Sequence, residues 1–495
     1  MEHYDLVIIG AGPSGYAAAM RAVDLKKKTL LIEKSTLGGA GVKNGALSSK
    51  TLWELSRDML AFRKNLERYH LEPPKAVWHE IQTEVRKAVH ERISLYQSHL
   101  NELEANPKYS NYIHFVEGEA CIESDHIVSI STLTEDLLVE TDYIIIATGS
   151  RPRHLPNIPI DEKYILTSDG IENMDDFPES MVIVGAGVIG CEYATIFSGF
   201  GQTKVFLIDK GDTILPFEDP DVVAVIEKNL ESHGVHIHRN SSLSEIETKD
   251  GKVIYKLDFA DGEQKTFTVD KALVSVGRVP NYENIWKDAV PIKMGKRGVE
   301  DHETHTSVNN IYAVGDITAD INLVNVGELE GRYAVEKIFG EPKKKLVYEN
   351  ISTIMFLNPE VAGVGYNEKS AQEKELNYRV VTTDYSTIAR ATAKRNTQGF
   401  IKLLVTDDDE MKILGMRVVG EQASAAIQAV ALLISMNKGI EELAECVHPH
   451  PSITEGIQES VRALLGKSIL KSGLLKGKVS CYCYDCQKME KVSMY

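Results

Sequence analysis

Short apolar runs that pass straight into glycine turns recur along this chain, and they set its organisation. The first, Leu6–Ile9, leads into Gly10, Gly12 and Gly15 and then a lightly charged stretch, which predicts strand, tight turn and helix. A second run, Thr29–Ile32, ends in Glu33. From Leu52 to about Leu103 the spacing is helical in a charged background, and the break at Pro73-Pro74 predicts two long surface helices. Ile113–Thr141 alternates as strands do, and Tyr143–Ile146 runs into Ala147-Thr148-Gly149-Ser150-Arg151-Pro152, the expected exit from the first domain. The opening unit then repeats: Met181–Val184, the glycines Gly185, Gly187 and Gly190, a helix, and Lys204–Ile208 ending in Asp209. Two further strand-and-turn pieces follow, Lys271–Val276 before Gly277 and Asn310–Val314 before Gly315-Asp316.

Beyond Val347 the pattern changes to the alternating runs Arg379–Thr382, Gly399–Val405 and Lys412–Val419, then a helix around Ala425–Met436, as in a separate α+β domain. The closing stretch Val479–Cys486 shows no packing periodicity and is expected to be a mobile tail. The expected fold class is therefore α/β, with two Rossmann-like dinucleotide-binding domains and a C-terminal α+β domain. The expected boundaries are 1–150 with 275–346 for the first, 151–274 for the second, 347–475 for the third and 476–495 for a flexible cysteine-containing tail.

The repeated unit carries its own chemistry. Its glycines permit a left-handed turn, close approach of backbone to a pyrophosphate and close packing of helix on strand. The helix N-terminus offers free N–H groups to phosphates. Glu33 and Asp209 each follow the last glycine by the roughly twenty residues that place a carboxylate on a ribose diol. Two such units imply two dinucleotides.

Composition narrows the class. Lys+Arg 55 against Asp+Glu 72 gives a net charge of −17, which argues against nucleic acid as a partner. No run approaches the roughly 18 apolar residues of a membrane span, and the chain enters its first strand at once, leaving no room for a leader; a cytoplasmic protein is expected. Six cysteines among 495 residues make no disulfide framework, and no metal site is expected. Cys446 and His448 read as a packing pair.

In this order the motifs resemble the flavin-dependent pyridine nucleotide-disulfide oxidoreductases: GAGPSG at Gly10, ATGSRP at Ala147, GAGVIGCEYA at Gly185, GRVPN at Gly277, YAVGDIT at Tyr312 and HPHPSITE at His448. The likeness runs from about Tyr4 to Leu470. It implies a homodimer with FAD on the first unit, NAD(H) on the second and the C-terminal domain at the interface. Carried over by position, Gly10, Gly12, Gly15 and Glu33 hold the adenosine diphosphate half of FAD, with Thr148 and Gly149 in the cofactor turn and Asp316 at the ribityl chain or pyrophosphate. Gly185, Gly187, Gly190, Asp209 and Gly277 serve the nicotinamide nucleotide, Lys50 and Glu192 sit beside the flavin N5, and His450 with Glu455 handles protons. On the residues alone, Glu455 is equally well the glutamate of a capping box, Ser452-Ile453-Thr454-Glu455.

One landmark is missing. Family members with disulfide chemistry carry GGxCxxxxC over the flavin, and here Gly41 and Ala46 stand at the two cysteine positions, with Ser48 where a proline is usual. Disulfide exchange needs one thiolate to attack and a second thiol to resolve, so lipoamide reduction by the usual route is not expected. Asp209, followed by Lys210, Gly211, Asp212 and Thr213, favours NADH over NADPH. The expected enzyme is an FAD-dependent NAD(P)H oxidoreductase that delivers electrons to a small quinone-like or dye-like acceptor. The alternatives are transhydrogenation between nicotinamide nucleotides, disulfide reduction relayed through Cys481, Cys483 and Cys486, and a flavoprotein subunit that has lost catalysis. The cysteine cluster itself reads as a relay, as an incomplete metal ligand set or as an unstructured end.

Overall fold

The computed structural model describes residues 1–318, 321–471, 474–475 and 477–494. They fall into two compact units, Met1–Glu179 with Glu245–Lys256 and Thr266–Leu346, and Ser180–Ser244 with Leu257–Lys265 and Val347–Tyr495.

In the first unit the opening pattern becomes β1 (Glu2–Ile9), α1 (Pro13–Asp24) and β2 (Thr29–Glu33). Parallel partners flank β1 on both sides, β2 and then Ile113–Glu117 on one, Asp136–Ile146 and then Ile311–Ala313 on the other. An antiparallel hairpin, Glu119–Ser124 with Ile127–Ser131, extends the sheet. Both faces of β1 are covered. Val7 and Ile9 enter one core, Leu6 and Ile8 the other, and all four are buried, which is why the run reads as continuously apolar rather than alternating. The helices Ala46–Lys64 and Trp78–Ala105 lie on either side of Pro73-Pro74, as the pattern predicts. The second of them is pinned at its start, where the buried Trp78 indole donates to the Met174 carbonyl at 2.7 Å.

In the second unit, Ser180–Val184, Lys204–Ile208 and His236–His238 pair in parallel, the start of the repeated dinucleotide fold. The C-terminal part is an antiparallel sheet in the order Thr353–Met355, Val361–Gly365, Ile413–Val419, Phe400–Thr406, Tyr378–Asp384, Val479–Asp485, Glu490–Ser493. Helix Thr454–Leu464 packs Ile457 and Val461 into the same core as Val381, Ile401 and Leu403 of that sheet.

The expected mobile tail is corrected here. Val479–Asp485 pairs antiparallel with Tyr378–Asp384, and Glu490–Ser493 folds back on it as a hairpin. The stretch does alternate: Val479 and Cys481 join the core on one face, and Tyr484 stacks on Tyr378 at 4.9 Å on the other. Cysteine and tyrosine supply β-propensity and burial there in place of aliphatic residues. Lys476 and Tyr495 lie outside the described residues.

A buried charge network ties the second repeat to this sheet. Lys402, 1% exposed, donates to Asp219 (3.0 Å), Asp221 (2.6 Å) and Glu368 (2.9 Å), and Lys491 of the last strand reaches Glu368 at 2.5 Å. Burial alone would lower the Lys402 pKa, but the surrounding carboxylates outweigh it and hold it raised. Lys402→Met leaves those carboxylates facing one another without their cation. It is expected to lower unfolding free energy by about 3–5 kcal/mol in urea titrations of the variant against wild type. Burial alone would raise the Glu368 carboxyl, but Lys402 and Lys491 bring it below its ordinary value of 4.5. The unfolded chain therefore takes up that proton first. Glu368's contribution to stability is complete above pH 4.5 and is lost as pH falls through the lower folded value, which unfolding midpoints measured from pH 7 down to 3 will show.

Candidate functional site

The first glycine turn is shaped by contact. Gly10 has φ +104°, and a β-carbon on it would lie 2.4 Å from the Ala147 carbonyl oxygen; on Gly15 it would lie 1.9 Å from the Gly10 carbonyl oxygen. Only glycine lets α1 begin this close to β1. Around Gly12, by contrast, a β-carbon would meet nothing within 4 Å, so the backbone there faces open space at the positive end of α1, whose first turn has no acidic residue. Glu33 is fixed beside the turn: its Oε2 accepts from Ala11 N–H at 2.7 Å and its Oε1 from Ser35 N–H at 2.9 Å. The second repeat reproduces this, with Asp209 accepting from Ala186 N–H (3.0 Å) and Gly211 N–H (2.8 Å), and open space at Gly187. An open turn at a helix start with a carboxylate held beside it fits an adenine dinucleotide in each unit.

The motifs at Ala147 and Gly277 form one structure. Ser150–Pro152 and Arg278–Pro280 pair antiparallel as a two-stranded ribbon. Thr148 is locked across its base, its hydroxyl donating to the Asn281 carbonyl (2.6 Å) while Asn281 Nδ2 donates to the Thr148 carbonyl (3.0 Å). Gly149 and Gly277, both at positive φ, face open space. Asp316 accepts from the Ser150 hydroxyl at 2.6 Å, and Ser150 in turn accepts from Arg278 Nε at 2.8 Å. The preceding Gly315 N–H donates to the buried Glu330 at 2.6 Å. Ser150, Arg278 and Glu330 were not among the sequence candidates; the serine and arginine stood inside motifs already singled out, whereas Glu330 sits mid-helix with no local signal.

The loop after β2 is folded against the first turn. Gly38 N–H donates to the Ala11 carbonyl at 2.9 Å, and Gly39–Val42 forms a single helical turn. A β-carbon at Gly41 would stand 2.5 Å from Pro13 Cγ. The next helix begins at Ala46, where Ser48 Oγ accepts from Gly45 N–H at 3.1 Å and the Ser49 hydroxyl donates to the Gly45 carbonyl at 2.8 Å. Ser48 thus caps the helix that carries Lys50, whose Nζ donates to Ser49 Oγ at 3.3 Å. Glu192 lies buried in helix Val188–Phe200 of the other unit and accepts from Phe356 N–H at 3.0 Å.

His450 and Glu455 are together, and the glutamate uses its two oxygens on different partners. Its Oε1 bonds His450 Nδ1 at 2.7 Å while its Oε2 accepts from Ser452 N–H at 2.9 Å. Burial alone would raise the Glu455 carboxyl; the histidine and the serine amide outweigh it and hold it below the usual carboxylate range. Of the tail cysteines, Cys481 is buried in the sheet core, and burial pushes the Cys483 thiol up, away from the thiolate. Among the described residues no cluster of His, Cys, Asp and Glu is arranged to hold a metal ion, and no helix is long and apolar enough to cross a membrane.

Comparison with known proteins matches residues 4–331 to the family model for pyridine nucleotide-disulphide oxidoreductases and residues 351–461 to the dimerisation domain of the same family. The dihydrolipoyl dehydrogenase of Geobacillus stearothermophilus is 32% identical over 467 residues, 94% of this chain and 97% of that one. A Bacillus subtilis protein of the same name is 31% identical over 471 residues, with the same coverage. Among solved structures, LpdA from Mycobacterium tuberculosis superposes with TM-score 0.84 at 25% identity, over 94% of this chain and 100% of that one. The HOCl-induced flavoprotein disulfide reductase RclA from Escherichia coli, in a Cu(II) complex, gives 0.82 at 24% identity, over 94% of this chain and 100% of that one, a likeness of fold.

Gly15→Ala is expected to yield less stable protein with little bound FAD, read as a lowered Tm and as the absorbance ratio of flavin to protein after gel filtration. Asp209→Arg is expected to shift the NADPH-to-NADH ratio of kcat/KM upward by about tenfold or more, since it removes a charged hydrogen-bond acceptor worth about 1.5–3 kcal/mol.

Proposed function

This chain belongs to the pyridine nucleotide-disulphide oxidoreductase family, whose members use FAD and NAD(H), and from that membership we propose that it passes electrons from NADH to a planar, quinone-like or dye-like acceptor without a thiol pair. The observation that carries this reading is Gly41. It stands where the GGxCxxxxC pattern has its first thiol, and a β-carbon there would meet Pro13 Cγ at 2.5 Å, so a side chain needs that ring or the turn to shift. With Ala46 at the second position, no side chain there can attack or resolve a disulfide.

FAD, when bound, supplies the two-electron centre between donor and acceptor. The chain supplies placement. Asp209 holds the ribose of NADH, Glu33 and the Gly10–Gly15 turn hold the flavin's adenosine, and Lys50 of the same unit as Glu33 serves its reactive ring. A cavity of about 310 Å³ opens beside Pro13, walled by Tyr16, Met20, Arg92, Tyr96 and Arg332. Tyr16 and Tyr96 meet at 4.6 Å with their planes tilted by 53°, and the Arg92 guanidinium covers Tyr96 at 4.6 Å, so the wall is aromatic and cationic. His450 is held through Nδ1 by Glu455, which leaves Nε2 to exchange a proton with a reduced acceptor bound at the partner subunit's flavin. The C-terminal module leaves Leu432, Met436 and Val447 exposed, which supports a homodimer through that face.

The relatives' name favours a second reading, a disulfide reductase, which in this chain would have to use Cys481, Cys483 and Cys486. Against it stand the burial of Cys481 and the raised thiol of Cys483. Asp209 opposes the transhydrogenase alternative, because it repels a 2′-phosphate.

Anaerobic NADH is expected to bleach the flavin; an unbleached flavin indicates the non-catalytic subunit. NADH turnover is expected with quinones and absent with lipoamide, and Cys481→Ser/Cys483→Ser/Cys486→Ser is expected to leave quinone turnover unchanged. Lipoamide turnover by wild type that the triple variant loses establishes the relay instead. Tyr96→Ala is expected to raise the quinone KM about tenfold without slowing bleaching by NADH.

A further inference from the structure

A second cavity, of about 550 Å³, lies in the first unit and takes no part in the reaction described above. The pairing of Ser150–Pro152 with Arg278–Pro280 makes its wall. Ser150 and Arg151 project to opposite faces of this ribbon, as successive strand residues do, so Ser150 serves Asp316 while Arg151 faces the cavity. The opposite wall is the turn Gly295–Gly298, closed by the Gly295 N–H to the Gly298 carbonyl at 2.8 Å.

In a chain of net charge −17 this cavity is cationic: Arg151, Arg153, His154, Lys296 and Arg297 line it against a single acid, Glu283. Glu283 is consumed by Arg151, which grips it with both terminal nitrogens at 2.9 and 2.6 Å. Among the described residues, no carboxylate forms an ion pair with Arg153, Lys296 or Arg297. Two basic runs from distant parts of the sequence therefore converge on one concavity of ligand size, and Arg153, Lys296 and Arg297 carry no carboxylate partner there among the described residues. An anion seated among them is attracted by all three. Between the cations the walls are apolar, Pro152, Val279 and Met294, and Tyr282 presents a ring that is 41% exposed.

We propose that this cavity binds a nucleoside polyphosphate, its phosphates on Arg153, Lys296 and Arg297 and its base against Tyr282. Guanidinium and ammonium groups are the usual phosphate donors, and a tyrosine face accepts a base by stacking. The turn that carries Lys296 and Arg297 continues into Val299, whose N–H donates to the Ile317 carbonyl at 3.0 Å, one residue from Asp316. An occupant there touches the support of the flavin cradle from its outer side.

The test is calorimetric titration of ATP into the FAD-loaded protein with NAD⁺ saturating, so that both adenine dinucleotide cradles are filled. The expected result is one saturable site. Lys296→Ala/Arg297→Ala is expected to weaken it by at least about tenfold, since each charged hydrogen bond lost is worth about 1.5–3 kcal/mol, with the rate of flavin bleaching by NADH unchanged. Adenosine is expected not to bind, and tripolyphosphate to bind more weakly than ATP. Absence of binding at millimolar ATP, equal affinity in the variant, or tripolyphosphate binding as tightly as ATP each overturns the assignment. Because the readout is binding and not turnover, it stands or falls independently of the electron acceptor.

Discussion

The closeness of α1 to β1 is the constraint from which the first unit follows. With Gly15 pressed on the Gly10 carbonyl, the helix starts hard against the strand's end, and its first turn brings free amides to one place. Everything nearby is arranged around that place: Glu33 held by Ala11, the 38–42 turn bonded back to the Ala11 carbonyl, and Ala147 in contact with both glycines. Space for a ligand is created by forbidding side chains at a few positions.

The second repeat shows that this is a unit and not a coincidence of glycines. Asp209 and Ala186 reproduce the hydrogen bond of Glu33 and Ala11 with a shorter side chain. What differs is the setting, since the second repeat shares a unit with the C-terminal sheet and is tied to it by Lys402 and by the Arg417–Glu218 pair at 3.1 Å. Buried ionic contacts of this kind fix geometry more than they add stability.

Much of this was legible from the chain. Strands covered on both faces show as unbroken apolar runs, and positions that must be glycine show as glycine, so both dinucleotide units were read with their acids. The ribbon Ser150–Pro152 with Arg278–Pro280 was not, because strands of three residues carry too little alternation to register. Lys402 was missed because a lysine does not announce that it is interior; only its carboxylates, far away in sequence, make it so. Glu455 was framed as a choice between two partners, whereas a carboxylate has two oxygens and puts one on His450 and one on the Ser452 amide. The terminal hairpin was misread because its inward residues are cysteine and valine alternating with tyrosine and serine, a pattern whose period matters more than its hydrophobicity.

That hairpin also decides what the C-terminal sheet offers to the outside. Without it, the border would be Tyr378–Asp384, a seven-residue strand rich in valine and threonine, long and regular enough to template another chain. With it, the border is Glu490–Ser493, four residues long and carrying a glutamate and a lysine. A short charged rim ends the ladder on this side, the device by which sheets discourage pairing with a further strand.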